Sequence, residues 1–216
     1  MRELRLQTSD GLSLEAEWDV PDASRAVLIL CHPHPKMGGT MNAPLLLALR
    51  DHLLERGWAV LRFNYRGIGT SQGQTGIGDA ELLDAHAAID EATRQSPQLP
   101  RALAGWSFGA AVAIRVAAQR DDLLTCIGIA PAIKPKPGIT AGVPPASDIS
   151  LKIPTYLIVG ANDDLVDPDD CERWAMETGA TCEVMKGANH FFWAKYDKLV
   201  SHVEALLEKE LERSQS

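Results

Sequence analysis

No stretch of this 216-residue chain approaches the roughly 18–20 consecutive apolar residues of a membrane-spanning helix. The opening residues, MRELRLQTSDG, lack the apolar core of a secretory signal peptide, so the expected location is the cytoplasm. Positive charge is scarce and scattered. The formal net charge is -8 and Lys and Arg form no cluster, which argues against nucleic acid or an anionic membrane as partner. The four cysteines, Cys31, Cys126, Cys171 and Cys182, show no C-x-x-C spacing. They are expected to be reduced packing residues. A phosphate-cradling G-x-x-x-x-G-K-[ST] loop is missing, and no internal repeat or low-complexity linker divides the chain.

What is present is a regular alternation of two patterns. Residues 3–8 and 12–18 are alternating runs around a turn at Asp10-Gly11, which reads as a hairpin. Short apolar runs follow at 25–31, 58–64, 101–106, 123–130, 154–160 and 180–186. Between them lie helical patterns: 43–56 with Gly57 as C-cap, 79–94 with Asp79 as N-cap, an Ala-rich 107–119, then 168–178, and finally 197–211 with Leu199, Val203 and Leu206 on one face. Strands alternating with helices predict one α/β domain over residues 1–216, with a mainly parallel sheet covered on both faces. In such sheets the site lies beyond the carboxyl ends of the strands. Residues 131–150 there hold five prolines and cannot form one regular helix.

Three of these carboxyl-end loops carry chemistry in chain order. Gly105-Trp106-Ser107-Phe108-Gly109 is a G-x-S-x-G between a strand and a helix, the setting in which a sharp turn projects a serine hydroxyl. A serine needs a base to take its proton, and a histidine base needs a carboxylate to orient it. After the run 154–160 comes ANDDLVDP. Asp163 is favoured as that carboxylate, with Asp164 and Asp167 as rivals suited to capping the helix near Pro168. After the last strand comes GANHFFW, and His190 is the only histidine both beyond that strand and outside a helix; His52, His86 and His202 lie within helices.

With GWSFG, GANDDLV and GANHFF in this order, the chain resembles the α/β-hydrolase fold superfamily over essentially its full length. HPHPKMGGTMN and FNYRGIGTSQG make it similar to small bacterial hydrolases without a lid. The resemblance implies a central sheet of about eight strands, no substantial cap, and Ser107, Asp163 and His190 as a catalytic triad. It departs from many relatives in having His32-Pro33 where they carry His-Gly. The reaction expected is ester cleavage through an acyl-enzyme, on a small-molecule ester, with no cofactor and no metal. Thioesterase, peptidase, acyltransferase and perhydrolase chemistries use the same three residues, and a non-catalytic binding protein could share the fold. Small proteins of this fold often pair, so a homodimer stays open.

An acyl-transfer site also needs about two N–H donors for the oxyanion. The Phe108 N–H, next to the nucleophile, is expected to be one. In CHPHPKMGG, Pro33 and Pro35 lack an N–H, which singles out the backbone N–H of His34 as the other. The His34 imidazole is expected to line the pocket, and His32 to brace the loop. Metal binding by this H-x-H pair is disfavoured because no third ligand lies near it in sequence. Arg66 is expected to tie the glycine-rich loop to backbone or carboxylates.

Overall fold

In the computed structural model, which describes residues 1–216, eight strands form one sheet in the order β1-β2-β4-β3-β5-β6-β7-β8. The hairpin β1 (Arg2–Gln7) and β2 (Ser13–Asp19) is antiparallel, turns at Gly11, and joins β4 (Trp58–Phe63) antiparallel. β3 (Ala26–Cys31), β4, β5 (Arg101–Trp106), β6 (Thr125–Ile129), β7 (Thr155–Gly160) and β8 (Thr181–Met185) run parallel to one another. The expectation of about eight mainly parallel strands behind an antiparallel hairpin is met.

The two-residue side-chain period of a strand divides the interior in two. Val27, Ile29 and Cys31 of β3 face one way, into the layer made by α2 (Glu81–Gln95), α3 (Phe108–Ala117) and α4 (Pro168–Thr178). Ala26, Leu28 and Leu30 face the other, against α1 (Pro44–Leu54) and α5 (Tyr196–Ser214). Both faces are covered, which is why β3 to β7 read as continuous apolar runs rather than alternating ones. All four cysteines are free, and burial pushes the Cys31 thiol up to about 12, well away from nucleophilic character.

Two boundaries correct the sequence reading. Helix α2 begins at Glu81, and its cap residue is Ala80 rather than Asp79. The buried Glu81 carboxylate reaches back to accept the N–H groups of Gly76 and Gly78, while Asp79 pairs with Arg115 on α3. Helix α3 is shorter than expected and leaves Ser107 outside it, in a conformation no helix allows. Segment 131–150 is irregular apart from one 3-10 turn at Ala146–Asp148. The glycine-rich loop after β4 is held by Arg66, whose guanidinium donates to Asp84 and Asp10.

Candidate active site

Ser107 sits at the junction of β5 and α3 with φ 56 and ψ -113, a positive-φ conformation rare for a residue with a side chain. Its two flanking glycines make that junction possible. A Cβ on Gly105 would lie 2.3 Å from the Gly109 carbonyl oxygen; one on Gly109 would lie 2.4 Å from the carbonyl oxygens of both Cys31 and His32. Neither contact is survivable, so the elbow packs directly on the end of β3. The Ser107 N–H continues the sheet by donating to Ile129 O at 2.8 Å, and its carbonyl accepts the N–H of Ala111 at 3.2 Å.

β7 and the loop after β8 bring the other two residues to this elbow. Gly160 ends β7, and a Cβ there would lie 2.5 Å from the Ala188 carbonyl oxygen. Its absence lets the two loops touch, and Asn162 N–H donates to that carbonyl at 2.9 Å. The Asp163 side chain is fully enclosed. Its Oδ1 accepts the N–H groups of Leu165 (2.9 Å) and Val166 (2.8 Å), and its Oδ2 accepts from His190 Nδ1 at 2.8 Å. These three hydrogen bonds fix the orientation of the carboxylate toward His190. With a proton on Nδ1, His190 Nε2 presents a lone pair to Ser107 Oγ at 3.0 Å. The rivals are elsewhere: Asp167 caps α4 through the Asp169 N–H, and Asp164 is exposed.

The loop after β3 turns back through the 3-10 turn Pro35–Met37, and Gly39 lies where a Cβ would be 2.1 Å from Pro33 O. The His34 and Phe108 N–H groups donate to no acceptor within the protein. Both residues line one cavity with Ser107 and His190. His32 is the brace the sequence implied: Nδ1–H donates to Pro33 O (2.7 Å), and Nε2 accepts the Tyr65 N–H (3.0 Å). Burial lowers its pKa to about 4, so this imidazole is neutral. The His34 ring is equally committed, accepting the Lys36 N–H on Nδ1 (3.1 Å) and donating from Nε2 to Ile139 O (2.9 Å). No imidazole nitrogen of the H-x-H pair is left to ligate a metal.

A family model described as serine aminopeptidase, S33, matches residues 22–153, more than half of the chain. The chain belongs to this family of α/β serine hydrolases. A serine hydrolase without lid from Xanthomonas campestris is 30% identical, with a TM-score of 0.82 over 98% of this chain and 94% of its own. A protein of unknown function from Agrobacterium tumefaciens is 29% identical, with a TM-score of 0.84 over 98% and 97%. An uncharacterized protein from Rickettsia prowazekii (strain Madrid E) is 29% identical over 184 residues, covering 80% of this chain and 74% of that one.

Two cavities flank Ser107 and His190 in this hydrolase. The larger, about 510 Å³, is walled by Phe108, Ile133, Ile139, Leu165 and Val166. The smaller, about 260 Å³, is walled by Pro33, Gly39, Ala43, Trp106 and Phe191. Of the aromatic residues near the site, Phe192 is core, Phe191 lines the smaller cavity, and the exposed Trp193 stacks on Phe191 at 4.9 Å. Three contributors escaped the sequence reading. Trp106 Nε1–H donates to His190 O (3.1 Å), Asn189 Oδ1 accepts the Phe191 N–H (3.2 Å), and Gly160 admits the base loop. The Gly160 and Asn189 signals were visible as a strand-ending glycine and an Asn-His pair, but the Gly160 neighbour, Ala188, lies in a loop far along the chain and Asn189 bonds only backbone N–H groups of its own loop.

Proposed function

We propose that the protein cleaves carboxylic esters through an acyl-enzyme formed on Ser107. The observation that carries this reading is the unbroken chain from Asp163 Oδ2 through His190 to Ser107 Oγ, with contacts of 2.8 and 3.0 Å, facing two N–H groups that have no partner. His190 Nε2 takes the hydroxyl proton as Oγ attacks the ester carbonyl. Asp163 holds the imidazolium that results, and its two backbone donors keep the carboxylate aimed. The oxyanion is received by the N–H groups of His34 and Phe108, and the first turn of α3 adds its positive end. As the carbon–oxygen bond breaks, His190 gives its proton to the leaving alcohol. A water then enters, loses a proton to His190 and attacks the acyl carbon; as the bond to Oγ breaks, His190 returns that proton to Ser107 and the acid leaves.

Esters are favoured over amino-terminal peptides by the committed state of the carboxylates near Ser107. Asp170 is already paired with Lys134 and Arg173, and Asp167 has Oδ1 turned to the N-terminus of α4, so no acid here is aimed at Ser107 as a seat for a substrate ammonium group. A fluorophosphonate probe followed by mass spectrometry should locate its adduct on Ser107. Ser107→Ala and His190→Ala should each abolish nearly all p-nitrophenyl acetate turnover, because the members of such a unit fail together. Wild-type rates in both variants, or faster hydrolysis of aminoacyl p-nitroanilides than of esters, would overturn the reading.

A further inference from the structure

The segment after β6 is built as a clasped loop beside the site. At its base, Val143 N–H donates to Ile133 O (3.0 Å), and a Cβ on Gly142 would lie 2.5 Å from that same oxygen. At its tip, Lys136 and Thr140 exchange two backbone bonds (2.8 and 3.0 Å) around Gly138, which has φ 71. Pro135 and Pro137 stiffen one arm. Side-chain bonds then attach this loop to both neighbouring active-site loops. Ile139 O accepts from His34 Nε2 at 2.9 Å, on the loop of the proposed oxyanion donor. Lys136 Nζ donates to Leu165 O at 3.1 Å, on the loop whose Leu165 N–H holds Asp163. Ile133 and Ile139 line the larger cavity, and Ile139 is exposed at its rim. The His34 ring also rests on the Phe108 ring, 5.1 Å between centroids.

We propose that residues 133–143 are a latched strap walling the acyl side of the site, and that the His34 imidazole and the Lys136 ammonium are its two latches. This rests on the esterase reading for its substrate. The side is assigned by the proton that the leaving group needs. The alcohol oxygen must face His190 Nε2, and the smaller cavity carries the aromatic neighbours of His190, Trp106 and Phe191. The acyl group therefore extends past Phe108 under the strap, against Ile133 and Ile139. A preformed wall recognises an apolar chain without ordering a loop at each turnover. The substrate class that fits is an ester of an apolar acid longer than acetate. The His34 imidazole and the Lys136 ammonium are positioning groups, acting through the strap, whereas the His34 backbone N–H keeps its separate place at the oxyanion.

The test is a p-nitrophenyl ester series from acetate to decanoate, with hydrogen exchange of residues 134–140 measured alongside. In the wild type, kcat/KM should rise beyond acetate by up to about fourfold per buried methylene until the cavity is filled. In Lys136→Met and His34→Ala, KM for octanoate should rise about fivefold, with a smaller change in kcat and in acetate KM. Exchange in the strap should quicken in both. His34→Gln, whose amide can still donate to Ile139 O, should recover most of the octanoate affinity. Chain-length profiles parallel to the wild type, an equal loss of kcat on acetate and octanoate, or unchanged exchange would each overturn the strap. So would an effect confined to a series of alkyl acetates, where only the alcohol varies. Turnover of esters with unchanged exchange would leave the esterase reading standing without the strap; quickened exchange with no ester turnover in the wild type would do the reverse.

Discussion

Replacing His34 by proline removes one hydrogen atom that the proposed mechanism needs. The substitution suits the backbone: His34 has φ -53, within the range a pyrrolidine ring imposes, and ψ 118, the extended value required before Pro35. It deletes the N–H, and with it the imidazole bonds to Ile139 O and from the Lys36 N–H. His34→Ala loses the same two imidazole bonds and keeps the N–H, so the ratio of the two variants isolates the donor. Loss of one oxyanion donor costs about 2.7–4 kcal/mol of barrier, or roughly 10²–10³ in kcat. The two imidazole bonds together are worth about 1–3 kcal/mol of stability and bear only indirectly on an acetyl group. With p-nitrophenyl acetate at one pH, kcat of His34→Pro should therefore lie about 10²–10³ below that of His34→Ala, while both variants melt cooperatively. If the two agree within about tenfold, the His34 N–H does not receive the oxyanion and the second donor is elsewhere.

The buried neutral His32 makes stability depend on pH. Its folded pKa of about 4 lies below the ordinary value near 6.5, so its contribution is fully present above pH 6.5 and is lost as pH falls toward 4. The loss amounts to about 3 kcal/mol. Urea unfolding between those limits should show a slope that His32→Gln flattens, and identical slopes would refute the assignment. Ser107→Gly should relieve the positive φ at the elbow and raise stability by roughly 1 kcal/mol while abolishing turnover, measurable as a higher Tm; an unchanged or lower Tm would mean the elbow stores no strain.

The strand–helix alternation was legible because both faces of the sheet are covered, so each strand is apolar throughout and each helix periodic. GWSFG was legible because its glycines answer to local sterics: both contacts that forbid a Cβ involve backbone at the elbow or at the end of the adjacent β3. The position of Asp163 was harder, since Asp163, Asp164 and Asp167 share one loop. The choice is made by the Leu165 and Val166 N–H groups, which turn Asp163 inward. Asp79 misled because an acid just before a helical pattern looks like a cap, whereas it pairs with Arg115 and the buried Glu81 at the helix start reaches back to the Gly76 and Gly78 N–H groups of the preceding loop. The prolines around His34 pointed to its N–H. They could not reveal the imidazole's bond to Ile139, whose partner is a carbonyl far along the chain and carries no side-chain signature.

The central claim is a covalent ester on Ser107, and acid-quenched mass spectrometry of protein turning over p-nitrophenyl acetate tests it most directly. The account predicts an acetyl group on the peptide containing Ser107, appearing with an initial release of nitrophenol and absent from Ser107→Ala. Sustained turnover with Ser107 unmodified, or acetylation confined to another residue, would contradict it.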